Sequence, residues 1–232
     1  LPALITLILF CYLFVTLFFH PSHSNHFYNS IYFTSTFTSN FYFWLKSQDY
    51  FNIASYYQPL LHTWSLSLEV QFYLTFPLIF LILKKLNNNQ IIFFLIFLIF
   101  SSLILSILFI GREQSFYLLP YRFCEFATGS ICFFLKKNKN SELNDFISIL
   151  AFIFLILVIL SFTNVNFPGI KGFIVSFLTS LIIHFNSGRI FKNFCQNFMV
   201  QRIGLISYSL FLFHWPTIIF YKYLTFGELK LF

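Results

Sequence analysis

The sequence predicts an all-α protein: a polytopic bundle of membrane-spanning helices. Three observations predict it. Charged residues are only 9% of the 232-residue chain, hydrophobic types are 58%, and the mean hydropathy is +0.79. A water-facing surface calls for roughly 25% charged residues. The apolar residues gather in runs near the ~20-residue length that carries a helix across the hydrocarbon of a bilayer. The basic residues fall in alternate short loops between those runs, the bias that orients membrane helices. The net charge of +7 is accounted for by those loops. There is no basic stripe on a polar face, so nucleic acid is not an expected partner. The 39 phenylalanines accompany abundant Ile, Asn, Lys and Tyr and read as compositional bias.

Seven spans are expected, at 1–19, 60–83, 91–110, 116–135, 146–163, 170–186 and 203–224. Segment 27–45 differs: eight of its 19 residues are Ser, Thr or Asn and its only aliphatics are Ile31 and Leu45. Aromatic and hydroxyl side chains suit the membrane interface, so 27–45 is expected to be interfacial or re-entrant. Lys84 and Lys85, then Lys136, Lys137 and Lys139, then Arg189, Lys192 and Arg202 mark loops 84–90, 136–145 and 187–202 as cytoplasmic. Loops 46–59, 111–115 and 164–169 then face outside. No repeat and no separate soluble domain is evident, so residues 1–232 read as one membrane domain.

Cys11, Cys124, Cys132 and Cys195 form no Cys-x-x-Cys pair and are expected to be inert thiols. His20, His23 and His26 lie beside Pro21 without an acidic or thiol neighbour, so no metal is expected there. The chain opens on Leu1 and its only methionine is Met199, which suggests an interior piece of a longer protein.

Ionisable groups inside spans are costly, by about 2.5–3.5 kcal/mol, and are functional candidates. In 60–83, His62 stands near the outer mouth and Glu69 about 10 Å deeper. Ser65, Glu69 and Tyr73 share that helix face with His62. Gln71 is a further buried amide. In 116–135, Arg122 and Glu125 are three apart on one face, about 10 Å in. In 203–224, Tyr208 is followed by His214, about 16 Å from the cytoplasmic end. Pro216 removes a backbone donor just beyond. Three helices thus place polar groups in the outer half of the membrane. Each also has a plain structural reading. Arg122 and Glu125 could neutralise one another, Gln71 could tie two helices, and His62 could simply be interfacial. His214 could bond a neighbouring helix, and His184 sits near a helix end.

The stretch "PLLHTWSLSLEVQFYLTFPL", residues 59–78, closely resembles the signature of the acyltransferase-3 family of membrane acyltransferases. That family includes O-acetylases of O-antigen and other bacterial surface polysaccharides. "YRFCEFATGS", at 121–130, resembles its Arg-x-x-Glu-x-x-x-Gly segment. "RIGLISYSLFLFHWP", at 202–216, resembles its late Gly-x-x-Ser-Tyr segment ending in His-x-Pro. "TSNFYFWLKSQDYF", at 38–51, resembles the branch that often carries an extracytoplasmic esterase-like domain. Val70 stands where the signature has a second acidic residue, Cys124 replaces an aromatic, and Phe211 replaces a Tyr.

The resemblance implies a fold of about ten spans, of which the seven here would be the third to ninth. The first span, with its proposed catalytic histidine, and the last would lie outside the chain. It implies transfer of an acetyl or other short acyl group from acyl-CoA, such as acetyl-CoA, to a hydroxyl of a cell-surface saccharide. It implies no resident cofactor, membrane lipid as surroundings, and a place in the bacterial inner membrane. Glu69, His62 and His214 are then the expected catalytic residues. Arg122, Glu125, Gln71, Tyr73 and Tyr208 are the expected substrate-binding residues. Two rival readings stay open on the residues alone: a transporter or flippase, since buried Glu, Arg and His also line ion paths, and an inactive structural homologue.

Overall fold

The computed structural model describes residues 2–46, 58–136, 140–161 and 168–225. Most of loops 46–59 and 164–169 lies outside the described residues, as do Lys137, Lys139 and the side chain of His23. Among the described residues the chain is helical, with eleven helices and no strand. They are α1 (Pro2–Phe18), α2 (Pro21–Ser35), α3 (Ser39–Leu45), α4 (Thr63–Leu83), α5 (Asn88–Leu108), α6 (Glu113–Tyr117), α7 (Leu119–Phe134), α8 (Ser141–Leu160), α9 (Gly169–His184), α10 (Arg189–Cys195) and α11 (Phe198–Leu224). Each expected apolar run overlaps helix, the run at 116–135 being divided between α6 and α7.

Helices α4, α5, α8 and α11 are long and apolar enough to cross a membrane. Helices α9 and α10 form a pair bent by 104°. The 17 residues of α1 stand at the short limit for a span. The polar loops contribute more helix than their composition suggests, for capping reasons. Asn87 and Gln90 form a capping box that starts α5 at Asn88 rather than Ile91. Asn140 accepts from the Glu142 and Leu143 amides, so α8 starts five residues before the apolar run. The run at 116–135 is split: α6 ends before Leu118, and Pro120 opens α7 within its first turn.

Segment 27–45 falls in two helices, α2 and α3. They are separated at Phe37, which adopts a positive φ of 55°. A 15-residue helix such as α2 reaches about 22 Å, short of a bilayer crossing.

The chain divides into two compact units, residues 1–71 with 202–232 and residues 72–201. In the first, α1 presents Leu4, Leu7, Cys11 and Val15 on one buried stripe. That stripe shares a core with Phe27, Leu60, Leu66, Leu212 and Ile219. Phe14 stacks on Phe220 at 3.8 Å between ring centroids, and Phe19 on Tyr223 at 4.0 Å.

In the second unit α7 packs against α5 and α9, and α8 against α9. Ser102 of α5 donates to the Pro120 carbonyl at 2.8 Å and accepts from the Cys124 amide at 2.9 Å, which fixes the register of α5 and α7. At the lysine-rich end, the buried Asp145 carboxylate accepts from the Ile190 and Phe191 amides at 3.1 and 3.0 Å. It supplies the cap that Gly188, at the start of α10, has no side chain to give. A Cβ on Gly188 would strike the Asp145 carboxylate and backbone nitrogen. Asp145→Ala is expected to cost about 1–2 kcal/mol, read as a lower thermal midpoint in detergent.

Candidate functional site

In the first unit, two polar faces of α4 do different work. Thr63, Ser67 and Gln71 recur every four residues and face the α2–α3 turn. The Thr63 hydroxyl meets those of Thr34 and Ser39, both at 3.1 Å, and Ser67 meets Ser39 at 2.8 Å. The Gln71 amide donates to Asn40 Oδ1 at 2.8 Å and to the Phe37 carbonyl at 3.1 Å, and accepts from Asn40 Nδ2 at 3.3 Å. Thr34, Ser39, Asn40, Thr63 and Ser67 are all buried. This explains the hydroxyl-rich composition of 27–45: those side chains satisfy α4 and their own helices. It also places Gln71, an expected substrate-binding residue, in a network that already engages both ends of its amide.

The other face carries His62 and Glu69 toward α11. The ring of His62 lies 5.7 Å from that of His214 and 5.6 Å from that of Phe211, centroid to centroid. Seven residues deeper on α4, Glu69 lies close enough for its charge to act on the Tyr208 hydroxyl. The step from His62 to Glu69 is about 10 Å, and the step from His214 back to Tyr208 about 9 Å. The two helices run in opposite directions along this face, so the four residues form two rungs.

Packing sets the chemistry of the upper rung. His62 is 2% exposed, and neither Nδ1 nor Nε2 has a hydrogen-bond partner among the described residues. The backbones of Leu212 and Pro59 are its polar neighbours, short of hydrogen-bond geometry. Leu212 is the residue whose carbonyl loses its i+4 donor to Pro216, which α11 carries in its interior. The Trp215 indole donates to the Gln58 carbonyl at 3.1 Å and pins the turn before α4. His214 is exposed, and its Nδ1 faces the Phe211 carbonyl. A carbonyl only accepts, so Nδ1 carries a proton, and in the neutral tautomer this leaves the lone pair on Nε2.

In the second unit, Arg122 and Glu125 form the one ion pair among the described residues. Nη2 and Nε of Arg122 donate to the same Glu125 oxygen, at 2.7 and 3.1 Å. The guanidinium also lies 5.8 Å from the Phe116 ring centroid. Gly172 of α9 leaves the space that the carboxylate fills; a Cβ there would fall on Glu125. Sequence spacing predicts the pair but not Gly172, whose signal is only a glycine within an apolar run. Tyr73 also belongs to this unit and is exposed. His184 is buried in the last turn of α9. Cys11 and Cys124 are buried and Cys195 is exposed. Among the described residues no three His, Cys, Asp or Glu converge as a metal site would require.

The comparisons agree with the motifs. The family model described as an acyltransferase domain, that of the acyltransferase-3 family, matches residues 1–229. An uncharacterized protein of Haemophilus influenzae is 32% identical over 167 residues, 65% of this chain and 68% of that one. The O-acetyltransferase OatA of Staphylococcus aureus is 31% identical over 202 residues, 79% of this chain but 33% of its own length. The putative membrane-bound transacylase BcsY of Komagataeibacter xylinus is 28% identical over 181 residues, 77% of this chain and 46% of its own. The chain thus spans about two thirds of the first, a third of the second and under half of the third. No solved structure matches. With its motifs in order, its membrane helices and a family match over nearly its whole length, the chain belongs to the acyltransferase-3 family of integral membrane acyltransferases.

Proposed function

We propose that the protein of which this chain is part transfers a short acyl group, such as acetyl, from acyl-CoA to a hydroxyl of a cell-surface saccharide. We place its extracytoplasmic mouth at the His62–His214 rung. The accepting hydroxyl attacks the thioester carbonyl, a C–O bond forms, the C–S bond breaks, and the hydroxyl proton passes to the departing thiolate. His214 presents a lone pair at Nε2 to hold that hydroxyl and take its proton. His62, buried with both nitrogens unspent, positions the same group or donates to the carbonyl oxygen as charge grows there. Glu69, one rung deeper, orients the Tyr208 phenol toward the path. Arg122, Glu125 and Tyr73, which belong to the second unit, are proposed as substrate-binding residues. Membership of the family supports the reaction class. The name OatA supports O-acetyl transfer in a relative. Cytoplasmic acyl-CoA, a bacterial inner membrane and an attached esterase-like domain complete the proposal.

The observation that carries this reading is the buried, unpartnered imidazole of His62 beside a second imidazole. Glu69→Gln in the full-length protein is the test. Surface O-acetyl content should fall by at least about a hundredfold, with the variant still in the membrane fraction. Wild-type acetylation by that variant would remove Glu69 from the mechanism.

A further inference from the structure

At the lysine-rich end of the second unit a cleft of about 430 Å³ opens between α7 and α9. Its walls are Ile131, Leu135, Phe177 and Leu181, with Cys132 and Ser180 between them. The polar atoms on those walls are already engaged along the helices. The Cys132 thiol donates to the Ser180 carbonyl at 3.3 Å, and the Ser180 hydroxyl to the Ser176 carbonyl at 2.7 Å. The Thr128 hydroxyl donates to the Cys124 carbonyl. A sugar, a nucleotide or the amide-bearing arm of a coenzyme would find few free donors or acceptors there, whereas a hydrocarbon chain needs none. The volume lies within the range of small-molecule sites.

The mouth has a different character. Lys136, just beyond the end of α7, is exposed at the rim, and His184 closes the end of α9. Neither is in an ion pair with a carboxylate: the one described pair is Arg122–Glu125, and Asp145 is spent on α10. The second, independent observation is α10. It turns 104° from α9, so where α9 crosses a bilayer α10 lies close to its plane. It exposes Ile190 and Phe194, 64% and 52% accessible, together with Arg189 and Lys192. That is the composition of a helix seated among headgroups, with cations toward anionic lipid. It puts the headgroup level at the end of α9, where the cleft opens.

We infer that this cleft binds an anionic glycerophospholipid, one acyl chain lying between α7 and α9 and the headgroup meeting Lys136. The site is separate from the acyl-transfer chemistry and does not depend on it. The test is native mass spectrometry of the full-length protein in detergent with equimolar phosphatidylglycerol and phosphatidylcholine. The wild type should retain the anionic lipid about fivefold over the zwitterionic one, the worth of one lysine near a headgroup. Lys136→Glu should abolish the preference, while Lys84→Glu, on another loop of the same unit, should keep it. Ser180→Phe, which fills the cleft, should lose bound lipid of both kinds. If Ser180→Phe fails to fold, as judged by circular dichroism, the two lysine variants decide. Equal retention of both lipids by the wild type would overturn the inference. So would equal behaviour of the two lysine variants, or displacement of the lipid by an acyl-CoA.

Discussion

Replacing His214 with alanine is expected to cut acyl transfer by about 10²–10⁴-fold while leaving the protein inserted and folded. The first half of the expectation comes from the ring's tautomer. With Nδ1 on the Phe211 carbonyl, Nε2 is the nitrogen that can hold and deprotonate a hydroxyl. The second half comes from exposure: His214 is exposed on α11, so its loss leaves no cavity. His62 behaves differently. At 2% exposure His62→Ala opens a buried hole, and both stability and transfer should fall. His214→Gln retains a hydrogen-bonding amide but no proton acceptor, so it should restore substrate affinity without restoring turnover. Acyl transfer by the purified full-length enzyme, with kcat and KM separated, checks this series. A turnover number for His214→Ala within threefold of wild type would assign the proton to another group.

Gly172→Ala is expected to lower the stability of the protein by about 1–3 kcal/mol, as overpacking does. The added methyl would land on the Glu125 carboxylate. That carboxylate ends a flexible side chain and could swing aside in isolation. Arg122 prevents this, because two of its nitrogens hold one Glu125 oxygen and the pair is largely buried, at 11% and 16% exposure. The methyl must therefore break the pair or push α9 from α7. A thermal melt in detergent of the single variants and the double variant decides between this and a generic helix effect. Gly172→Ala and Glu125→Ala should lose less together than the sum of their separate losses. Simple additivity would show that Gly172 is not there to house the carboxylate. Because α9 also walls the lipid cleft, a weaker lipid preference in Gly172→Ala would mean that α9 had moved.

The features readable without coordinates are those that follow from period and solvent. A chain with 9% charged residues has no aqueous fold available to it, so the long apolar helices were legible in the apolar runs, whereas α2, α3 and α10 lie outside those runs. The Arg122–Glu125 pair was legible because i and i+3 on a helix are neighbours wherever the helix sits. The candidacy of His62, Glu69 and His214 was legible because each is costly in lipid. Helix ends were less legible. Asn87 and Asn140 begin α5 and α8 by capping, and a hydropathy run cannot register a cap.

Long-range pairing was decided only by the fold. Gln71 and Glu69 are two residues apart on one helix, yet Gln71 is turned to Asn40 while the charge of Glu69 reaches Tyr208 of α11. Nothing in a 3.6-residue period says which neighbour occupies which face. The pairing of His62 with His214 joins residues 152 positions apart in the chain, and Gly172 meets Glu125 across two helices. The sequence by itself determined that these side chains had to be shielded from lipid, because an isolated polar group in hydrocarbon is too costly. Which partner shields each one, and which nitrogen is left without one, was decided by helix packing. That depends on side-chain volumes meeting across the bundle and is not encoded in any single stretch.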